Sequence, residues 1–169
     1  RGRARVLSAE SLAVPSAFCA DVDTTLGVEA GVAPDGERPL AVRVQSFACR
    51  RGLPRGIDMV FDCRFLKNPY WSANLRPLDG RDAAVDSHVA GDPRFSPFFD
   101  RVLDLVRVLL PAYVEEGKSH LSIAFGCTGG QHRSVATAER LAKALADDGR
   151  QVSIRHRELG ARVTDESKS

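Results

Sequence analysis

The stretch FGCTGGQHRSV, Phe125 to Val135, constrains this chain more than any other. It sets two adjacent glycines and a His-Arg-Ser triplet between an apolar run, HLSIAFG, and an amphipathic run, SVATAERLAKALADDG. A strand that feeds a helix through a glycine turn is the building unit of layered α/β folds. In such folds ligands collect beyond the carboxyl ends of the strands, where loops enter helix N-termini. A helix N-terminus carries unpaired N–H groups and about half a positive charge, and Gly129 and Gly130 let that backbone curl around a bound group. Arg133 adds a planar fork suited to phosphate or carboxylate oxygens, and Thr128 and Ser134 add hydroxyls. His132 reads either as a ligand or RNA contact or as an ordinary surface or core histidine. An anion site over Thr128 to Ser134 is expected, against the plainer reading of a tight structural turn.

Read literally, Cys127 to Arg133 is also C-x5-R followed by serine, the spacing of cysteine-dependent phosphatases. That chemistry needs a thiolate lowered by a helix N-terminus and aimed at a phosphate held on backbone N–H groups. Gly126 stands where such enzymes usually carry histidine, and a general acid is also required. Asp79, Asp82 and Asp86 are available, with no spacing to select one. The bland alternative for Cys127 is a small core residue at the end of a buried strand.

The surrounding pattern supplies the rest of an α/β domain. LAVRVQSFAC, IDMVFDC, HLSIAFG and QVSIRH read as four strands, the first and last alternating with period 2. A loop, FLKNPYWSANLRPLDGRD, precedes a helix that begins near Ser96 with Pro97 at its first position. Phe98, Val102, Leu105, Val106, Leu109, Leu110 and Tyr113 mark its buried face, and Pro111 is expected to kink or end it. Val135, Ala138, Leu141, Ala142 and Leu145 mark the face of the last helix, with Gly149 as its stop. Alternating strands and helices predict a layered α/β domain whose sheet is largely parallel and flanked by helices.

Residues 1–39 read weakly: ESLAVPSAFCADV suits a short helix or strand, and GVEAGVAPDGERP a linker. They are expected to form a leader or the remnant of an upstream domain, followed by a domain over 40–160 and a polar tail over 161–169. The formal net charge is +2 over 169 residues. The first 40 residues carry four basic and six acidic side chains and the rest twenty and sixteen, so a nucleic-acid partner is permitted and no more. No apolar run reaches the roughly 20 residues of a membrane span, and no h-region of a signal peptide stands at the N-terminus. Cys19, Cys49, Cys63 and Cys127 fall at neither zinc nor disulfide-framework spacing, so reduced cytoplasmic thiols and no metal are expected.

Asp62 and Arg64, two apart at the end of the second strand, face one side of an extended chain. They read equally as an ion pair that fixes the following loop and as functional groups delivered toward the Cys127 loop. Asn68, Pro69, Tyr70 and Trp71 read as a structured loop able to wall a pocket, and the aromatic pair suits stacking on unpaired bases as well as packing.

The runs QSFACRRGLPRGIDMVFDCRFLKNPYW, LRPLDGRD, GKSHLSIAFGCTGGQHRSV and IRHREL, in this order over about residues 40–160, resemble the C-terminal domain of the RapZ family of RNase adapter proteins. The resemblance implies a cytoplasmic bacterial protein that binds a small regulatory RNA and a ribonuclease, senses glucosamine-6-phosphate and assembles as a tetramer. It also implies a fold similar to a phosphofructokinase subdomain. By matching positions, the phosphosugar site would use Thr128, Gly129, Gly130, His132, Arg133 and Ser134, with Ser46 and Tyr70 as weaker members. Tyr70 stands where histidine is expected in many relatives. Arg155, His156 and Arg157 would join Arg50, Arg51 and Arg55 in phosphate contacts to RNA, while the tail GARVTDESKS lacks a lysine- and arginine-rich ending. The G-x-x-x-x-G-K-[ST] loop of the family's N-terminal domain is not found in these residues, so a nucleotide is expected only with an upstream domain, and no other cofactor.

Overall fold

The computed structural model describes residues 24–26 and 40–160. ESLAVPSAFCADV, Cys19, GVEAGVAPDGERP and the tail lie outside the described residues. The sheet contains β1 (Thr24–Leu26), β2 (Ala41–Ala48), β3 (Met59–Asp62), β4 (His120–Cys127) and β5 (Val152–His156). Their spatial order is β1-β5-β2-β4-β3. β2, β3, β4 and β5 run parallel, and the three-residue β1 joins the outer edge of β5 antiparallel, with Thr25 opposite Ser153. The α/β architecture with a largely parallel sheet is therefore as the sequence predicts, and β1 adds an edge strand from within the leader.

β2 is the centre of the sheet, and centrality explains why its alternation fails. Gln45 and Ser46 are buried beside Val44 and Phe47, because both faces of a central parallel strand are covered. The three helices are α1 (Ala83–Ala90), α2 (Phe95–Glu115) and α3 (Arg133–Asp147). Val85, Val89, Val102, Val106, Leu110, Leu141 and Leu145 pack with Val42, Val44, Leu121, Ile123, Phe125, Val152 and Ile154 in one core.

The structure differs from the sequence reading at four local points. α1 is not marked by the sequence pattern, since only Val85 and Val89 of its eight residues are buried. α2 starts at Phe95, so Pro97 is its third residue, still among the N–H groups that lack an intrahelical acceptor. The helix also runs through Pro111 to Glu115 rather than ending there. Pro111 is exposed, so water can take over the carbonyl one turn back that its missing N–H leaves free. Leu105, placed on the buried face by its spacing, is 44% exposed.

Register carries the strand ends to one place. Ala48 pairs with Cys127 and Asp62 with Gly126, so the loops after β2, β3 and β4 leave the sheet side by side. β2 leads toward β3 on one side and β4, through α3, toward β5 on the other. This divergence is the kind of switch point at which α/β sheets open a crevice.

Candidate functional site

The crevice is a cavity of about 330 Å³ lined by Arg50, Asn68, Tyr70, Trp71, Cys127, Thr128, Gly129, Gln131, His132 and Arg133. Its floor is the loop between β4 and α3. Two glycines, Gly130 and Gly80, allow the close packing that holds that loop. Gly130 has φ +67°, and a side chain there would meet Glu158 Cγ at 2.5 Å and the Ala48 nitrogen at 2.6 Å. Gly80 passes so close to the first turn of α3 that a Cβ would lie 2.4 Å from the His132 carbonyl oxygen and the Ala136 nitrogen. The Gly80 N–H donates to the Gln131 carbonyl at 2.8 Å, tying the segment before α1 to the loop.

Glu158 is the second anchor. Its side chain is buried, accepts from the Ala48 N–H at 3.2 Å and from Arg157 Nε at 2.9 Å, and pairs with Arg51 at 2.8 Å. Sequence reasoning passes over Gly80, Gln131 and Glu158. The available signal for Glu158 is its place inside IRHREL, and for Gln131 its place inside the glycine loop.

Arg133 is 5% exposed and is turned inward. Its Nη1 donates to the carbonyls of Arg64 at 2.7 Å and Leu66 at 3.2 Å, and its Nη2 to Thr128 Oγ1 at 3.3 Å. The guanidinium thus clamps the loop after β3 to the start of α3, and its Nε, which is buried, is left without a hydrogen-bond partner. His132 is 6% exposed, and its Nε2 is likewise buried without a partner. Two such atoms beside one cavity stand out, because buried polar groups are nearly always paired.

The cysteines divide by environment. Cys127 is among the residues lining the cavity, and its Sγ lies 3.1 Å from Ser134 Oγ. Cys63 donates to Thr137 Oγ1 at 3.7 Å, and burial pushes its thiol up to about 12. Burial also raises the Cys49 thiol, at the turn after β2. Cys49, Cys63 and Cys127 are free thiols. Among the described residues no group of His, Cys, Asp or Glu side chains is arranged to hold a metal, and no helix is long and apolar enough to cross a membrane.

Several sequence candidates are placed away from the cavity. Ser46 is fully buried and shares a 2.8 Å hydrogen bond with His156 Nδ1, while His156 Nε2 donates to Glu139 Oε1 at 2.9 Å. Both residues are committed to joining β2, β5 and α3. Arg157 donates to the carbonyls of Gly52 at 2.9 Å and Ala48 at 3.0 Å, so it too is spent on the fold. Ser134 is buried against Cys127, and Arg155 is half-buried on β5. Arg50, Arg51 and Arg55 are exposed around the turn after β2, and of these Arg50 reaches the cavity. Arg64 and Asp62 form the ion pair that fixes the loop, at 2.6 Å, and it holds the Asp62 carboxyl below the usual carboxylate range.

Residues 40–160 match the family model described as the RapZ C-terminal domain. The chain belongs to that family. It is 62% identical over 138 residues to a nucleotide-binding protein of Ruegeria pomeroyi, covering 82% of this chain and 49% of that protein. A nucleotide-binding protein of Ruegeria sp. is 68% identical over 132 residues, covering 78% of this chain and 44% of the relative. One of Roseobacter denitrificans is 59% identical over 140 residues, covering 83% and 48%. The RapZ-type domain thus spans about half the length of the curated relatives it matches.

Proposed function

We propose that this RapZ-type regulatory domain binds a phosphorylated sugar, glucosamine-6-phosphate, in the cavity at the start of α3. The observation that carries the reading is the pair of buried, unpartnered nitrogens, His132 Nε2 and Arg133 Nε, beside a cavity whose floor is a glycine loop entering a helix. A tetrahedral anion accepts hydrogen bonds on several sides and complements the helix N-terminus. Thr128, exposed at the mouth, supplies a hydroxyl to the same oxygens. Ser46 and Tyr70 divide: Tyr70 lines the cavity, and Ser46 acts through the fold.

RNA binding is the second part of the reading, with Arg50, Arg51 and Arg55 as phosphate contacts because they are the exposed members of the basic set. A small regulatory RNA, a ribonuclease partner, a cytoplasmic setting and a homo-oligomer complete the adapter role. A nucleotide would belong to an upstream domain.

Turnover is the less favoured reading. Cys127 lines the cavity, but among the described residues no carboxylate does. Of the candidate acids, Asp79 pairs with Arg81 at 2.7 Å, Asp86 accepts from Arg140 at 2.6 Å, and Asp82 accepts from the Asp79 N–H at 2.8 Å. The fork of Arg133 is engaged by the Arg64 and Leu66 carbonyls and by Thr128 Oγ1.

Calorimetric titration of the chain with glucosamine-6-phosphate and with glucosamine tests the proposal. Binding that needs the phosphate, weakens severalfold in Thr128→Val and returns the ligand unhydrolysed supports it. Release of inorganic phosphate that stops in Cys127→Ser would favour the phosphatase instead.

A further inference from the structure

Trp71 is the one tryptophan of the chain, and it is 77% exposed on the cavity rim. With the half-exposed Tyr70 beside it, Trp71 presents an aromatic pair to the cavity. The backbone beneath it is held in place. Pro69 is buried, Asn68 Oδ1 accepts from the Tyr70 N–H at 3.3 Å, the Trp71 N–H donates to the Asn68 carbonyl at 3.4 Å, and Arg76 Nε donates to the Tyr70 carbonyl at 3.0 Å.

The neighbouring ring is already engaged. Tyr70 meets Trp71 edge to face at 5.6 Å, and the Arg76 guanidinium covers the Tyr70 ring at 4.7 Å. The cavity volume, about 330 Å³, falls in the range of roughly 300–1,000 Å³ typical of small-molecule sites. There is therefore room for more than an anion in a cavity lined by His132 and Arg133 as well as by Trp71.

We propose that Trp71 stacks on the apolar C–H face of the ring that carries the phosphate, making it the residue that selects a sugar phosphate over the bare anion. This rests on the phosphosugar reading above. The indole face carries the negative lobe of the ring quadrupole and attracts the polarised C–H groups of a pyranose. An ammonium substituent on that ring adds a cation–π attraction.

The test compares glucosamine-6-phosphate and inorganic phosphate, by calorimetry, on the chain and on its Trp71→Ala and Trp71→Phe variants. Thermal melts are recorded alongside, and the exposed position is expected to leave them unchanged. Trp71→Ala should weaken the sugar phosphate about tenfold and leave inorganic phosphate within about twofold, and Trp71→Phe should recover most of the loss. Indole fluorescence, which reports Trp71 alone, should change with the sugar phosphate and not with inorganic phosphate. If the chain binds both ligands and Trp71→Ala shifts neither, or shifts both equally, the stacking role is overturned while the anion site stands. If the chain binds neither ligand, the anion site itself fails and the stacking role with it.

Discussion

Arg133 Nη1 donates to the Arg64 carbonyl at 2.7 Å, joining the first turn of α3 to the loop that follows β3. Because the Leu66 carbonyl shares the same nitrogen, Arg133→Ala would strand two acceptors in a buried place. The variant should lose roughly 2–4 kcal/mol in urea unfolding, since hydrogen bonds to charged groups contribute about 1.5–3 kcal/mol each. It should also bind the phosphosugar less well through the displaced loop. A variant as stable as the parent would show that the clamp is not structural.

His156 and Ser46 separate fold from ligand in the opposite sense. Their 2.8 Å bond and the His156–Glu139 bond involve no residue that lines the cavity. His156→Ala should cost roughly 1–3 kcal/mol, the penalty of a buried group left unpaired, with phosphosugar affinity changed by less than about threefold. Melting curves and calorimetry on one preparation check both halves. A large loss of affinity in a fully stable variant would return His156 to the binding machinery.

Gly130 admits a sharper substitution. At φ +67°, a methyl group on this residue would fall 2.5 Å from Glu158 Cγ and 2.6 Å from the Ala48 nitrogen, so Gly130→Ala combines strain with overlap against backbone. A loss of roughly 3 kcal/mol or more is expected, whereas Gly129→Ala, with open space around it, should cost less than about 1 kcal/mol. Equal melting temperatures for the two variants would contradict this.

These contrasts show where the sequence is legible. The α/β class, the four parallel strands and the crevice follow from apolar runs and the glycine loop, because periodicity and turn chemistry act locally. The roles of individual residues inside the motifs do not. Spacing marks His156 and Arg157 as basic residues on the last strand, yet what they meet is decided by Glu139 on α3 and by carbonyls after β2, distant in sequence. Likewise the reach of Arg133 depends on where the Arg64 loop comes to rest. α1 stays hidden because two buried valines in eight residues make too weak a stripe.

Asp92 predicts a pH response. Its buried carboxyl accepts from the guanidinium and N–H of Arg94 and from the Lys67 N–H, and the Arg94 bond holds it well below the usual carboxylate range. A depressed carboxyl contributes stability above its unfolded value near 4 and loses that contribution as pH falls through the folded value. Asp92→Asn should therefore be less stable than the parent by roughly 1–3 kcal/mol at pH 7, with the gap narrowing below about pH 4. Urea unfolding at both pH values measures it, and a gap unchanged by acid would contradict the assignment.

The central claim, that an anion seats on the loop entering α3, is tested most directly by following backbone amide resonances during a glucosamine-6-phosphate titration. The account predicts saturable shifts concentrated at Thr128, Gly129, Gln131 and His132, absent when glucosamine is added instead. Shifts confined to other parts of the chain, or none at all, would contradict it.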